Sequence, residues 1–109
     1  MEIKLNIYGE DKQIAKTYTA EGYDLEMGTI EDFVDIFDVD DLSDKATLVK
    51  MVIKGYKQIK PLMKDVFPGL TDEEFRHIRL EHLVEVISEL GAAIVENLGI
   101  FKQGNSQRA

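Results

Sequence analysis

Acidic side chains are the most abundant source of chemistry in this sequence, and they are unevenly spread. Nine aspartates and glutamates, and no lysine or arginine, fall between Asp24 and Asp44. Clustered carboxylates are ligands for hard cations, and Asp38, Asp40 and Asp41 form the tightest group. A calcium loop starting at Asp38 needs an oxygen ligand at its fifth position, glycine at the sixth and glutamate at the twelfth. Those positions hold Leu42, Ser43 and Val49, so the pattern fails. Folding alone explains the run as a solvated loop rich in helix caps. The sharper reading is a surface that docks on a basic partner.

Other reactive groups are sparse. His77 and His82 are the two histidines, five residues apart. Helical zinc pairs are usually four apart, so these two face different ways and read as surface or capping residues. Cysteine is absent, which removes a disulfide framework, a thiol nucleophile and a Cys-type zinc site. No Ser-His-Asp order, glycine-rich phosphate loop or dinucleotide fingerprint occurs. Carboxylates are plentiful, but nothing singles out a catalytic pair. The expectation is a non-enzymatic protein with no catalytic residues, no metal and no cofactor.

The bulk composition narrows the partners. With 109 residues the chain is one domain by length, large enough for one modest core. Hydrophobic residues make up 44%, which excludes disorder by composition. The formal net charge is −8, which argues against binding a phosphate backbone and suits a basic partner. Met1-Glu2-Ile3-Lys4 lacks a signal peptide's apolar run, and no apolar stretch approaches bilayer length. The protein is therefore expected in solution inside a cell, bound to neither nucleic acid nor membrane.

Periodicity supplies the scaffold. Ile3, Leu5 and Ile7 alternate with polar residues over Glu2–Tyr8, the period of a strand. Gly9-Glu10-Asp11-Lys12 is a turn cluster and Gln13–Thr19 a second β-prone run, which predicts a hairpin over 2–19. A four-residue loop would set Ile7 against Ile14 and Ile3 against Tyr18. It would also set Leu5 against Lys16, which leaves the register open. A lone hairpin is marginal in water, so it must lie on helices or pair with another chain.

Ala20–Gly28 reads as a connector with a short extended piece around Tyr23–Met27. Thr29 is placed to N-cap a helix bearing Ile30, Phe33, Val34 and Phe37. Asp38–Leu42 stops it. Ser43 is placed to cap the next helix, with Asp44 in its first turn. Val49, Val52, Ile53, Tyr56, Ile59, Met63, Val66 and Phe67 form that helix's apolar stripe, with a kink or restart expected at Lys60–Pro61. Lys50, Lys54, Lys57 and Lys64 fall on its other side. They are either a solvated face or an electrostatic partner for Asp24–Asp44 of a neighbouring copy.

Pro68-Gly69 ends this element, and Thr71 with Glu74 makes a capping box for a short helix carrying Phe75 and Ile78. After a break near Arg79–Leu80, the last helix carries Leu83, Ile87, Leu90, Ile94 and Leu98, broadened by Val84, Val86 and Val95. Gly91 permits a close approach within it, and Gly99 is placed as its stop. Lys102–Ala109 reads as a polar, disordered tail. The expected architecture is α+β, mainly α. An N-terminal β-hairpin precedes a compact bundle of about four helices, in a single domain over 1–101 with a tail at 102–109.

The stretch Ile59–Leu90 also resembles a known family. Phe67-Pro68-Gly69-Leu70-Thr71-Asp72-Glu73-Glu74, preceded by Lys60-Pro61-Leu62 and followed by an apolar helix, is similar to the C-terminal half of small tail assembly chaperones. These belong to long-tailed bacteriophages of Gram-positive bacteria or to their prophage copies. The resemblance spans about Ile30 to Leu98 and is densest over Pro61–Glu89. It implies a non-enzymatic chaperone in the host cytoplasm that binds the helical, aggregation-prone tape measure protein, helps recruit tail tube protein, and self-associates. It supplies no catalytic residues. Phe67, Leu70, Phe75 and Phe101 sit at breaks or ends, and are the candidate partner contacts. The rival expectation is an acidic regulatory adaptor or inhibitor that binds a basic or DNA-binding partner.

Overall fold

The computed structural model of the chain describes residues 2–38 and 41–108, with side chains for all of these except Tyr23 and residues 97–108. Strand β1, Glu2–Tyr8, and strand β2, Ile14–Glu21, form an antiparallel hairpin. Ile3, Leu5 and Ile7 are buried and their neighbours are not, as period two requires.

The register differs from the four-residue-loop pairing. Leu5 faces Tyr18, Ile3 faces Ala20 and Ile7 faces Lys16, while Tyr8 faces Ile14. Ala15 is the extra residue of a bulge between the last two pairs. The loop has one more residue than expected and the bulge adds another, so the pairing moves by two. Gly9 N–H donates to the Gln13 carbonyl at 2.9 Å, Lys12 N–H to Gly9 at 3.0 Å, and Gln13 N–H to Asp11 Oδ1 at 3.1 Å. Lys12 takes a left-handed φ of 63° to close this loop. The shift puts Ala20, Tyr18 and Lys16, rather than Tyr18, Lys16 and Ile14, opposite Ile3, Leu5 and Ile7. Ile14, beyond the bulge, is left 53% exposed.

β2 runs two residues past Thr19 and leads into a 3₁₀ turn, Gly22–Asp24. Helix α1, Met27–Ile36, begins after Glu26 rather than at Thr29. Ile30 N–H already bonds to the Glu26 carbonyl at 3.1 Å, so helical bonding starts there, and Thr29 is buried on the inner face. Phe33 and Phe37 fill the core from α1, their ring centroids 4.9 Å apart.

Helix α2, Lys45–Lys54, is capped by Asp44 rather than Ser43: the carboxylate accepts from Ala46 N–H at 3.2 Å and from the Thr47 hydroxyl at 2.7 Å. The bond from Thr47 holds the Asp44 carboxyl below its ordinary range.

The break expected at Lys60–Pro61 falls instead at Gly55, which ends α2 and starts helix α3, Tyr56–Val66. The Gly55 carbonyl accepts from Gln58 and Ile59 N–H at 2.9 and 2.8 Å. A Cβ there would lie 3.0 Å from the Met51 carbonyl oxygen and 3.2 Å from Ile36 Cγ2, so glycine lets the corner close against α1 without a shift of these neighbours. Pro61 sits inside α3 on an exposed face; it has no N–H to offer the Lys57 carbonyl, and both residues are exposed. The corner also rephases the apolar stripe. Leu48, Val52, Ile59, Leu62, Met63 and Val66 are buried, while Ile53 is 59% exposed.

Phe67 caps α3, and Gly69 turns the chain at φ 94°, a conformation that penalises any Cβ. Helix α4, Asp72–Arg76, follows with the expected capping box of Thr71 and Glu74. Helix α5 then runs from Leu80 to Arg108, through Gly99 rather than stopping there, and its backbone stays helical where a tail was expected. Its inner face carries Leu83, Val84, Val86, Ile87, Leu90, Ala93 and Ile94 into the core; Val95 is turned outward, and the Leu98 side chain is outside the described residues. β1 and the 3₁₀ turn lie on α5, with α2 on another side of it and α1 against α3. The result is the mainly helical α+β fold expected, with five α-helices after the hairpin.

At Gly91 a Cβ would collide with Leu42 Cδ1 and stand 3.2 Å from Phe33 Cζ. Leu42 ends in a flexible tip, but Phe33 is fully buried. Gly91→Val is expected to destabilise by about 1–3 kcal/mol through overpacking, read as a lower urea midpoint with an unchanged slope.

Candidate functional site

The capping motif is the meeting point of hairpin and helices. Glu74 N–H donates to Thr71 Oγ1 at 3.1 Å, and Glu74 Oε1 accepts from Thr71 N–H at 3.0 Å. The same oxygen accepts the Tyr18 hydroxyl at 2.6 Å, with the Gly69 carbonyl 3.1 Å from that hydroxyl. Lys16 Nζ lies 3.7 Å from Glu74 Oε2 and 4.5 Å from the Tyr18 ring centroid. Glu74 thus receives donors from β2 and from its own helix start. The Tyr18 bond comes first among the causes that hold its carboxyl below the ordinary range. These contacts are internal, so the carboxylate acts as a clasp between segments far apart in sequence.

The candidate contact residues fall beside this clasp, but inside the protein. Phe67, Leu70 and Phe75 are buried core residues, and Tyr56 packs on the Phe75 ring at 5.0 Å. Breaks in the helical path bring these side chains inward, because the chain folds back on itself there. Their position in sequence suggested exposure; their position in space leaves at most 3%. The side chain of Phe101 lies outside the described residues.

The histidines separate as their spacing implied. His77 follows α4 and contacts Glu73 at 2.9 Å on the surface. His82, on α5, accepts the Asn6 N–H on Nε2 at 2.9 Å, which places a neutral ring's proton on Nδ1, 3.6 Å from Glu85 Oε2. The outer edge of β1 is thereby tied to α5. His82→Leu is expected to cost about 1–2 kcal/mol, because the Asn6 N–H loses its acceptor. The checks are urea unfolding and faster hydrogen exchange at the Asn6 amide. Among the described residues no group of three His, Asp or Glu side chains could hold a metal ion.

The acidic run does not form one patch. Asp44 is a helix cap and Asp40 lies outside the described residues. Asp24, Glu26 and Asp32 join Glu21 and Asp65 around a cleft of about 470 Å³ between the end of β2, the start of α1 and the end of α3. Thr19, Ala20, Thr29, Val66 and Pro68 complete most of its wall, and among the described residues no lysine or arginine lines it. Asp65 is remote in sequence from the run, and only the tertiary fold brings it there.

The lysine stripe is likewise divided by the corner at Gly55. Lys60 and Lys64 converge on Asp72 at 3.6 and 2.6 Å, so Lys64 is engaged within the chain. The hydrogen bond from Lys64 holds the Asp72 carboxyl below its ordinary range. Among the described residues no helix is long and apolar enough to cross a membrane. Compared with protein-family models, with curated proteins and with solved structures, the chain shows no match.

Proposed function

We propose that this chain is a non-enzymatic tail assembly chaperone of a long-tailed phage or prophage, which binds the tape measure protein and aids tail tube assembly in the cytoplasm of the bacterial host. The observation that carries the reading is the resemblance centred on Pro61–Glu89. A mainly helical fold with an N-terminal hairpin is also the architecture that this resemblance implies. The physical task fits the composition: an aggregation-prone helical client needs its apolar seams covered, and a cover with net charge −8 keeps the complex soluble.

Co-expression tests it. A tape measure protein from the same phage genome should shift from the insoluble to the soluble fraction when this chain is present, and should co-purify with it. A client that stays insoluble beside a well-folded partner overturns the reading.

The acidic cleft favours a second reading, a regulatory adaptor for a basic partner, since Glu21, Asp24, Glu26, Asp32 and Asp65 share one opening. Competition separates the two. An inhibitor of a DNA-binding protein displaces DNA from it, whereas a tail chaperone leaves such a complex intact.

A further inference from the structure

A two-stranded hairpin has two outer edges, and this one protects only the first. β1 presents Asn6 N–H outward to His82 on α5. That bond fixes the alternation of the ladder. Thr17, which faces Asn6, and Thr19, two residues on, must turn their backbone N–H and C=O groups away from β1. No third strand pairs there, and no backbone group of another element meets them among the described residues. β2 is eight residues long, contains no proline, and carries its bulge only at the Ala15 end. Eight residues is not a short edge, and among the described residues no backbone bond from another element covers Thr17 or Thr19.

The open edge runs into the acidic cleft, whose first wall is Thr19, Ala20 and Glu21. A strand added along β2 would therefore cross the mouth of the cleft. Its same-face side chains would be spaced by about 7 Å, so two successive ones would reach Asp24, Glu26, Asp32 and Asp65.

We propose that the outer edge of β2 takes an extended peptide segment of a partner as a third strand, with lysine or arginine at alternate positions directed into the cleft. Main-chain bonds to Thr17 and Thr19 supply the pairing, and the carboxylates select the charge. A second copy of this chain is a poorer occupant. Each copy has net charge −8, and its β2 offers only Lys16, already engaged by Glu74 and Tyr18. The proposal does not rest on the phage-tail reading, since the same chemistry serves any client with a basic extended segment.

The probe is a synthetic, end-blocked octapeptide of alternating lysine and threonine, titrated into the ¹⁵N-labelled full chain. Slowed exchange and shifted resonances at the Thr17 and Thr19 amides are expected, with affinity falling as salt rises from about 0.05 to about 0.3 M. Thr19→Pro removes an outward donor while sparing the ladder to β1, and should weaken binding about ten-fold. Asp24→Asn with Asp32→Asn should weaken it comparably. A peptide N-methylated at every residue leaves the protein untouched and must fail to bind, which keeps the test sound if the proline variant unfolds. The proposal is overturned by equal binding of the N-methylated peptide, by equal binding of a glutamate-threonine peptide, or by a concentration-dependent dimer whose own β2 edge is protected without peptide.

Discussion

Phe67→Ala is expected to lower the free energy of unfolding by about 3–5 kcal/mol, the range for deleting a fully buried aromatic ring. Phe67 has no exposed surface, caps α3 through its N–H bond to the Met63 carbonyl, and holds the Leu70 N–H at 3.1 Å. The ring therefore fills the space under a turn that Pro68 and Gly69 cannot fill. Domains of this size have about 5–15 kcal/mol in all, so the variant should lose much of its stability and show a far lower urea midpoint. The experiment also separates two roles for the residue. A contact point for a partner would leave the isolated chain's unfolding curve unchanged and weaken only the complex. A core residue moves the unfolding curve first, and any loss of binding follows from the unfolded fraction. An unchanged midpoint for Phe67→Ala would contradict the packing described here.

Local signals in the sequence were reliable where one residue type does one job within a few positions. The alternation of Ile3, Leu5 and Ile7 marks a strand whose inner face is set by period two alone. Thr71 and Glu74 form the capping box because both halves of the device lie within one turn. Gly69 adopts the left-handed turn that ends α3, since no other residue adopts it so cheaply. Expectations failed where two local rules competed. Thr29 has the side chain of an N-cap, yet α1 starts after Glu26, which makes no side-chain cap bond, and Thr29 lies on the buried face. Pro61 and Gly55 could each break the long helix. Proline on a solvent face loses one bond to water, whereas Gly55 meets Ile36 of another helix, a demand invisible to helical periodicity.

The candidate site was less legible than the fold, for a related reason. Asp65 and Glu21 line the acidic cleft from outside the charged run. His82 holds Asn6 across 76 positions, and Tyr18 reaches Glu74 across 56. The types of these residues are ordinary, and only the pairing of distant segments gives them their roles. The shift of hairpin register had the largest consequence. Moving the pairing by two residues puts Tyr18 within reach of Glu74 and leaves Lys16 beside both, while the outward amides of β2 stay the same because the alternation has period two.

Glu74→Ala is expected to cost about 2–3 kcal/mol at neutral pH, combining the lost carboxylate half of the capping box with a lost charged partner for the Tyr18 hydroxyl. The cost should shrink in acid. In the folded chain the Glu74 carboxyl is held below its ordinary value of 4.5, first by the Tyr18 hydroxyl and also by the Thr71 backbone and side chain. The folded state therefore resists protonation that the unfolded state accepts. As pH falls the unfolded chain takes up this proton first, which favours unfolding. The stabilisation is fully present above about pH 4.5 and is lost as pH falls through the folded value. Asp44 and Asp72 are also lowered, but both persist in the variant, so the difference between the two proteins isolates Glu74. Urea unfolding across this range should show the wild-type and Glu74→Ala curves converging in acid. Glu74→Gln, which keeps an oxygen for Thr71 and Tyr18 but no charge, should fall between them at neutral pH and lack the pH-dependent component. Parallel curves for all three would mean that Glu74 acts by shape alone. The clasp between hairpin and helices would then depend on the neutral hydrogen bond from Tyr18 to Gly69 rather than on the carboxylate.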